Sequence, residues 1–326
     1  MRIAAFVLML AALAACHPAE PAVAAPATVA TAQWTRITEA APYPGSYNFP
    51  VFAADSQAYA VLPEGTWSTA DGAEWRREPL PFSGLNSAYL KYVQHDGAVY
   101  ALGVMTGNYL DYTIDPTIRR TRDFKTWETV GAAPTLPGYI FYAAISFKGA
   151  IWLVGGADAS GPKAEIWRSA DGLHWTRVVD KAPWSARSSA QLVVFRDRLW
   201  LIGGGVIDGP QANDVWSSSD GVTWARETAQ IAPERPMGTA VAFNDALWLI
   251  GASRSGSFTA GTLVSPDGKT WVPMNAPWTP RGGVATWIMD DDLYITGGKY
   301  SRPKPGGQPG ELEFIYSHDV WRMEGD

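Results

Sequence analysis

The sequence predicts an all-β fold, a six-bladed β-propeller, and three observations carry that prediction. A turn motif of the form Ser/Thr-x-Asp-Gly-x-x-Trp recurs with its aspartates at 71, 123, 171, 220 and 267, in steps of 52, 48, 49 and 47 residues. A second signature, an aromatic inside an aliphatic run that ends in glycine, follows each turn, as in Ile151-Trp152-Leu153-Val154-Gly155 and Leu199-Trp200-Leu201-Ile202-Gly203. The composition, with 32 Gly, 24 Pro and 16 Trp in 326 residues, suits a chain of many turns packed by aromatic rings. A four-stranded unit repeated at this period is a propeller blade.

Along the chain, Met1-Arg2 and the apolar run from Ile3 to Leu13 read as the charged and hydrophobic parts of an export signal. Eleven residues are too few to cross a bilayer, and no later stretch is apolar enough to do so. Leu13-Ala14-Ala15-Cys16 resembles the bacterial lipoprotein lipobox, which implies cleavage before Cys16 and lipid on that residue. His17 follows where inner-membrane retention uses Asp, so the resemblance implies the outer membrane of the cell envelope. Residues 1–15 are therefore expected to be the signal peptide, 16–32 an Ala/Pro-rich tether, and 33–326 the propeller.

Each unit reads as four strands, a to d. In the clearest copy, strand a covers residues 190–195, and a polar turn at Arg196-Asp197 leads into strand b, Leu199 to Ile202. The doublet Gly203-Gly204 opens a loop to strand c around Trp216, and Asp220-Gly221 reverses the chain into strand d at Trp224. Asp-Gly suits a reversal because its second residue needs positive φ. The d-strand tryptophans at 75, 127, 175, 224 and 271 count five units, one of which carries Phe124 in place of the turn glycine. A sixth has strands a, b and c, but the chain ends at Asp326 before a d strand. Trp34-Thr35-Arg36-Ile37 matches Trp175-Thr176-Arg177-Val178, so the N-terminal strand is expected to complete the last blade and leave no open sheet edge. The tryptophans are read as packing between blades: each removes about 150–250 Å² from water, on the order of 4–6 kcal/mol at most.

The glycine doublet, the aromatic on strand c and the Trp on strand d together resemble the kelch repeat family. The c–d turn also partly resembles the Asp box of sialidases, which has one more residue between Asp and Gly. The kelch resemblance implies that d–a connections and b–c loops share one face. On that face Arg187, Arg235 and Arg281 precede strand a in consecutive blades, at steps of 48 and 46. Forked guanidinium donors there suit carboxylates or sulfates, or else each pairs with a nearby acid or carbonyl and ties adjacent blades together. The same face carries two long loops, 104–115 with Tyr109, Tyr112 and Asp115, and 299–316 with Tyr300, Arg302, Lys304, Glu311 and Glu313. Long loops on a rigid frame are where binding usually resides.

A net charge of −6 argues against a nucleic-acid partner, and one cysteine argues against disulfides, multi-Cys zinc sites and iron–sulfur clusters. Kelch-type copper oxidases need a Tyr–Cys crosslink and two His ligands, but Cys16 is the expected lipid anchor and His17, His95, His174 and His318 fall on the tether, an a–b turn, a c–d turn and strand c. Phosphate loops and Ser-His-Asp signatures are absent. The expectation is a monomeric, lipid-anchored binding module with no cofactor or metal, whose ligand is an anionic glycan, peptide or envelope protein. Its ligand residues would be Arg187, Arg235, Arg281, Tyr109, Tyr300 and Arg302. The alternative is an enzyme resembling the periplasmic kelch-type sialic acid mutarotases, with Glu311 or Asp115 as the acid/base group.

Overall fold

Two-residue turns with both central residues at positive φ join strands a and b of every blade. They are Asp55-Ser56, Asp96-Gly97, Lys148-Gly149, Arg196-Asp197, Asn244-Asp245 and Asp290-Asp291, with φ between 46° and 70°. This is type I′ geometry, whose twist matches that of the strands it joins. The structure is a computed structural model, and it describes residues 33–78, 89–108, 110–206, 209–231, 238–254 and 257–325.

Six antiparallel sheets form the ring. Blade 1 runs Val51–Ala54, Gln57–Leu62, Gly65–Thr69, Arg76–Arg77, and blade 2 runs Tyr92–His95, Ala98–Asn108, Asp111–Thr121, Glu128–Ala132. Blade 3 runs Ala143–Phe147, Ala150–Val154, Ile166–Ser169, Thr176–Val179, and blade 4 runs Gln191–Phe195, Arg198–Ile202, Val215–Ser218, Ala225–Thr228. Blade 5 runs Thr239–Phe243, Ala246–Arg254, Ser257–Ser265, Val272–Met274. Blade 6 takes Gly282–Met289, Asp292–Pro303 and Val320–Met323 from the C-terminal end and Trp34–Thr38 from the N-terminal end. Trp34 pairs with Met323 and Arg36 with Trp321, and the Trp34 ring meets Trp278 edge-on at 4.9 Å. Strand d begins one residue after the motif tryptophan rather than at it, and the rings of Trp75, Trp175 and Trp224 donate Nε1–H to the carbonyls of Gly72, Gly172 and Gly221 in the turn.

The recurring Asp organises the c–d turn. In blade 4 Asp220 Oδ1 accepts from the N–H groups of Val222 and Thr223 at 2.8 Å, and Ser218 Oγ accepts from Gly221 N–H at 2.8 Å. The glycine serves the neighbouring blade: a Cβ at Gly221 would lie 2.4 Å from Trp152 of blade 3, and one at Gly268 would lie 2.0 Å from Trp200 of blade 4. The strand-b aromatic of one blade thus fills the space left by the turn glycine of the next. Phe124, the exception, adopts φ 59° and stacks on Tyr59 of blade 1 at 4.1 Å.

The two expected long loops are instead extensions of the sheets. Strands b and c of blade 2 continue pairing from Val104↔Asp115 to Asn108↔Asp111. The 299–316 segment is a hairpin in which Lys299↔Tyr316 through Pro303↔Leu312 pair, with the Pro/Gly-rich stretch confined to its tip. Alternating polar and apolar residues favour strand pairing here over an irregular loop.

Candidate functional site

The first strands of the six blades surround a central channel whose cavity measures about 410 Å³. Strand a bonds strand b along one edge only, so its other edge presents backbone N–H and C=O groups to the channel. Polar side chains from different blades line it, among them Asn48, Gln94, Ser146, Gln191 and Thr239. Among the described lining residues Lys91 is the one charged group. It sits directly before strand a of blade 2, half-buried, and its ammonium has no hydrogen-bond or ion-pair partner among the described residues. Burial pushes its pKa below the usual lysine range.

A second cation lies on the face of the d–a connections and b–c hairpins. Lys299, in the blade 6 hairpin, places Nζ 4.2 Å from the ring centroid of Tyr47 and 5.3 Å from that of Phe314. Burial lowers its pKa as well. Tyr47 and Tyr316 have centroids 5.7 Å apart, and Tyr316 and Phe314 are 41% and 50% exposed, leaving ring surface open to a ligand. The next residue, Asn48, donates its N–H to the carbonyl of Gly283 and lines the cavity, so this aromatic cluster stands at the channel rim.

The residues singled out from sequence are placed less uniformly. Arg187 and Arg281 are each 3% exposed and internally satisfied. Arg187 donates to Ser185 O, Ser185 Oγ, Gly203 O and both oxygens of Asp214, which uses all five of its N–H groups. Arg281 donates to Thr279 O, Gly297 O and both oxygens of Asp319. Arg235, Tyr109 and Cys16 lie outside the described residues. Tyr300 is half-buried in the hairpin opposite Ile315, and Arg302 is exposed and paired with Glu313 at 2.5 Å.

Neither acid proposed for proton transfer has the environment of a general acid. Glu311, at the hairpin tip, accepts from Lys304 at 2.5 Å and from Gln308 N–H, and these bonds lower its pKa. Asp115 accepts from the hydroxyl and N–H of Thr117, and these bonds, led by the hydroxyl, lower its pKa. Lys91 was not singled out from sequence, although a lysine directly before an apolar inner strand was a readable signal.

No family model and no curated relative matches this sequence. Among solved structures the chain is similar to that of YjhT, with a TM-score of 0.66 over 87% of this chain and 96% of that one, at 14% identity. At that identity the likeness establishes the architecture, a six-bladed β-propeller, and leaves function to the residues themselves.

Proposed function

We propose that this protein is a lipid-anchored, kelch-type propeller that binds a small acidic saccharide at the mouth of its central channel. The observation that carries the reading is Lys91, an ammonium with no partner among the described residues, in a cavity whose other described lining groups are neutral. An unpartnered, partly desolvated cation favours an anionic ligand, because each would supply the other's missing counter-charge. The exposed Phe314 and Tyr316 beside Lys299 offer rings on which a sugar face can rest. The anchor rests on the sequence around Cys16. A second reading, a mutarotase acting on the same ligand, is favoured by the lowered pKa of Lys91, which suits proton exchange beside a sugar.

Titration calorimetry with N-acetylneuraminate and galacturonate, against neutral N-acetylmannosamine, tests the binding reading. Only the acids should bind, more weakly at high salt, and Lys91→Met should lose binding while staying folded. Equal affinity in Lys91→Met would overturn the assignment. NMR of freshly dissolved N-acetylneuraminate, with and without protein, separates catalysis from binding. Cys16→Ser should move the protein from the membrane to the soluble fraction; unchanged detergent-dependent partitioning would remove the anchor.

A further inference from the structure

Between blades 2 and 3 lies a pair of side-chain hydrogen bonds made by His95. His95 Nδ1 lies 2.8 Å from Ser146 Oγ, and His95 Nε2 lies 3.2 Å from the carbonyl oxygen of Ala170. A carbonyl can only accept, so in the neutral imidazole Nε2 carries the hydrogen and Nδ1 presents its lone pair to the hydroxyl of Ser146. In a Ser–His–Asp relay the carboxylate holds the imidazole in the right tautomer and orientation; here the Ala170 carbonyl does so.

Position within the repeat sets this pair apart. His95 is the last residue before the a–b turn of blade 2, where blades 3, 4, 5 and 6 place Phe147, Phe195, Phe243 and Met289. Ser146 is the residue before last in strand a of blade 3, where other blades place Ala53, Val194, Ala242 and Ile288. At the first position the other blades are apolar; at the second, blade 2 carries Gln94, the one other polar residue beside Ala53, Val194, Ala242 and Ile288. His95 is 7% exposed, whereas Ser146 is half-buried and lines the central cavity.

Backbone parity adds a donor. The two-residue turn Lys148-Gly149 makes Phe147↔Ala150 and Ile145↔Trp152 hydrogen-bonded pairs, so the N–H groups of Ser146 and Ala144 point from the free edge of strand a toward the channel. A carbonyl compound in the cavity would meet the Ser146 hydroxyl and the N–H donors on the free edge of its strand, with His95 as proton acceptor on the neighbouring blade.

We propose that Ser146 and His95 form a nucleophile–base pair for acyl transfer to and from small esters in the central channel. Ser146 Oγ adds to the ester carbonyl carbon as its proton passes to His95 Nδ1. The bond to the leaving oxygen breaks, the alcohol departs with that proton, and an acyl-Ser146 ester remains. Water then adds to the acyl carbon, its proton passing through Nδ1 to Ser146 Oγ, releasing the acid and restoring the pair. The net change is ester plus water to acid plus alcohol. The proposal uses no charge on Lys91 and stands or falls separately from the saccharide reading.

The test is phosphonylation of the full chain by a serine-directed fluorophosphonate, located by peptide mass mapping, with p-nitrophenyl acetate hydrolysis followed in parallel. The expected result is one adduct at Ser146, absent from Ser146→Ala and formed about 100-fold or more slowly in His95→Phe. His95→Phe places the residue that three other blades use at this position, so folding should persist and is checked by thermal melting. No adduct at Ser146 in the parent, or an equal labelling rate in His95→Phe, overturns the proposal.

Discussion

Arg187 and Asp214 bind one another through two parallel hydrogen bonds, Nη1 to Oδ1 at 2.5 Å and Nη2 to Oδ2 at 3.1 Å. The backbone of Arg187 bonds Lys163 O and Gly156 N–H of blade 3, while its side chain grips the start of strand c in blade 4. Trp216 Nε1 donates to the same carboxylate at 2.8 Å. Blade 6 repeats the arrangement with Arg281, Asp319 and Trp321. Blade 3 substitutes Tyr139, whose hydroxyl donates to Glu165 at 2.7 Å, with Trp167 on the same acid. Each is a polar clamp from the entrance of strand a to strand c, and in blade 4 it also joins two blades.

Arg187→Met should therefore act on stability. It leaves the half-buried Asp214 without its counter-charge, a loss of at most about 3–5 kcal/mol. Arg187→Lys should recover little, since one ammonium cannot replace five forked donors. Burial alone would raise the Asp214 pKa, but its bonds to Arg187 and Trp216 bring it below the ordinary value. Its contribution is present above the unfolded pKa of about 3.9 and is lost as pH falls through the lower folded value. Urea titrations at pH 7 and pH 3 should show the parent–variant gap shrinking in acid; a constant gap would remove the ion pair as its cause.

Deleting residues through Ile37 should destabilise the protein far more than deleting residues through Ala30. The longer cut removes the strand paired to Val320–Met323 and the Trp34 ring packed on Trp278. Thermal melts compare the two, and equal midpoints would mean that this strand does not hold the ring closed.

Gly268→Ala should cost about 2–5 kcal/mol, combining left-handed strain with a Cβ driven into Trp200. Gly149→Ala, at a similar φ but with open space around its Cβ, should cost only about 1–2 kcal/mol. Adding Trp200→Leu to Gly268→Ala should recover part of the loss relative to additivity. Additive costs in denaturant titration would mean that glycine and tryptophan are not coupled across the blades.

Lys91→Met should melt higher than the parent at pH 7, because it removes a desolvated charge that has no partner among the described residues. The folded pKa of Lys91 lies below the unfolded value of about 10.4, so between the two the unfolded chain holds more protons and the parent gains stability as pH rises. The advantage of the variant should accordingly narrow from pH 7 to pH 10. A gap that widens would show that the ammonium has a partner in solution.

The repeat determined the architecture locally. Turn glycines, paired aspartates and period-two apolar runs act over a few residues, so blade number, strand order and the pairing of Trp34–Thr38 with Val320–Met323 were legible without coordinates. The hairpin at 299–316 was misread as a loop because its prolines and glycines crowd a tip that is short against the paired arms. The candidate site was the least legible part. Arg187 and Arg281 have the right residue type and spacing for an anion ring, yet whether a guanidinium faces solvent or a carboxylate 27 or 38 residues away is set by blade packing. Lys91 and the Ser146–His95 pair gain their meaning the same way: residues from six separate repeats share one channel only after the ring closes. Local periodicity encodes which strands form, because each strand's neighbours in sequence decide it; the tertiary fold alone decides which polar groups meet, because their partners come from other blades.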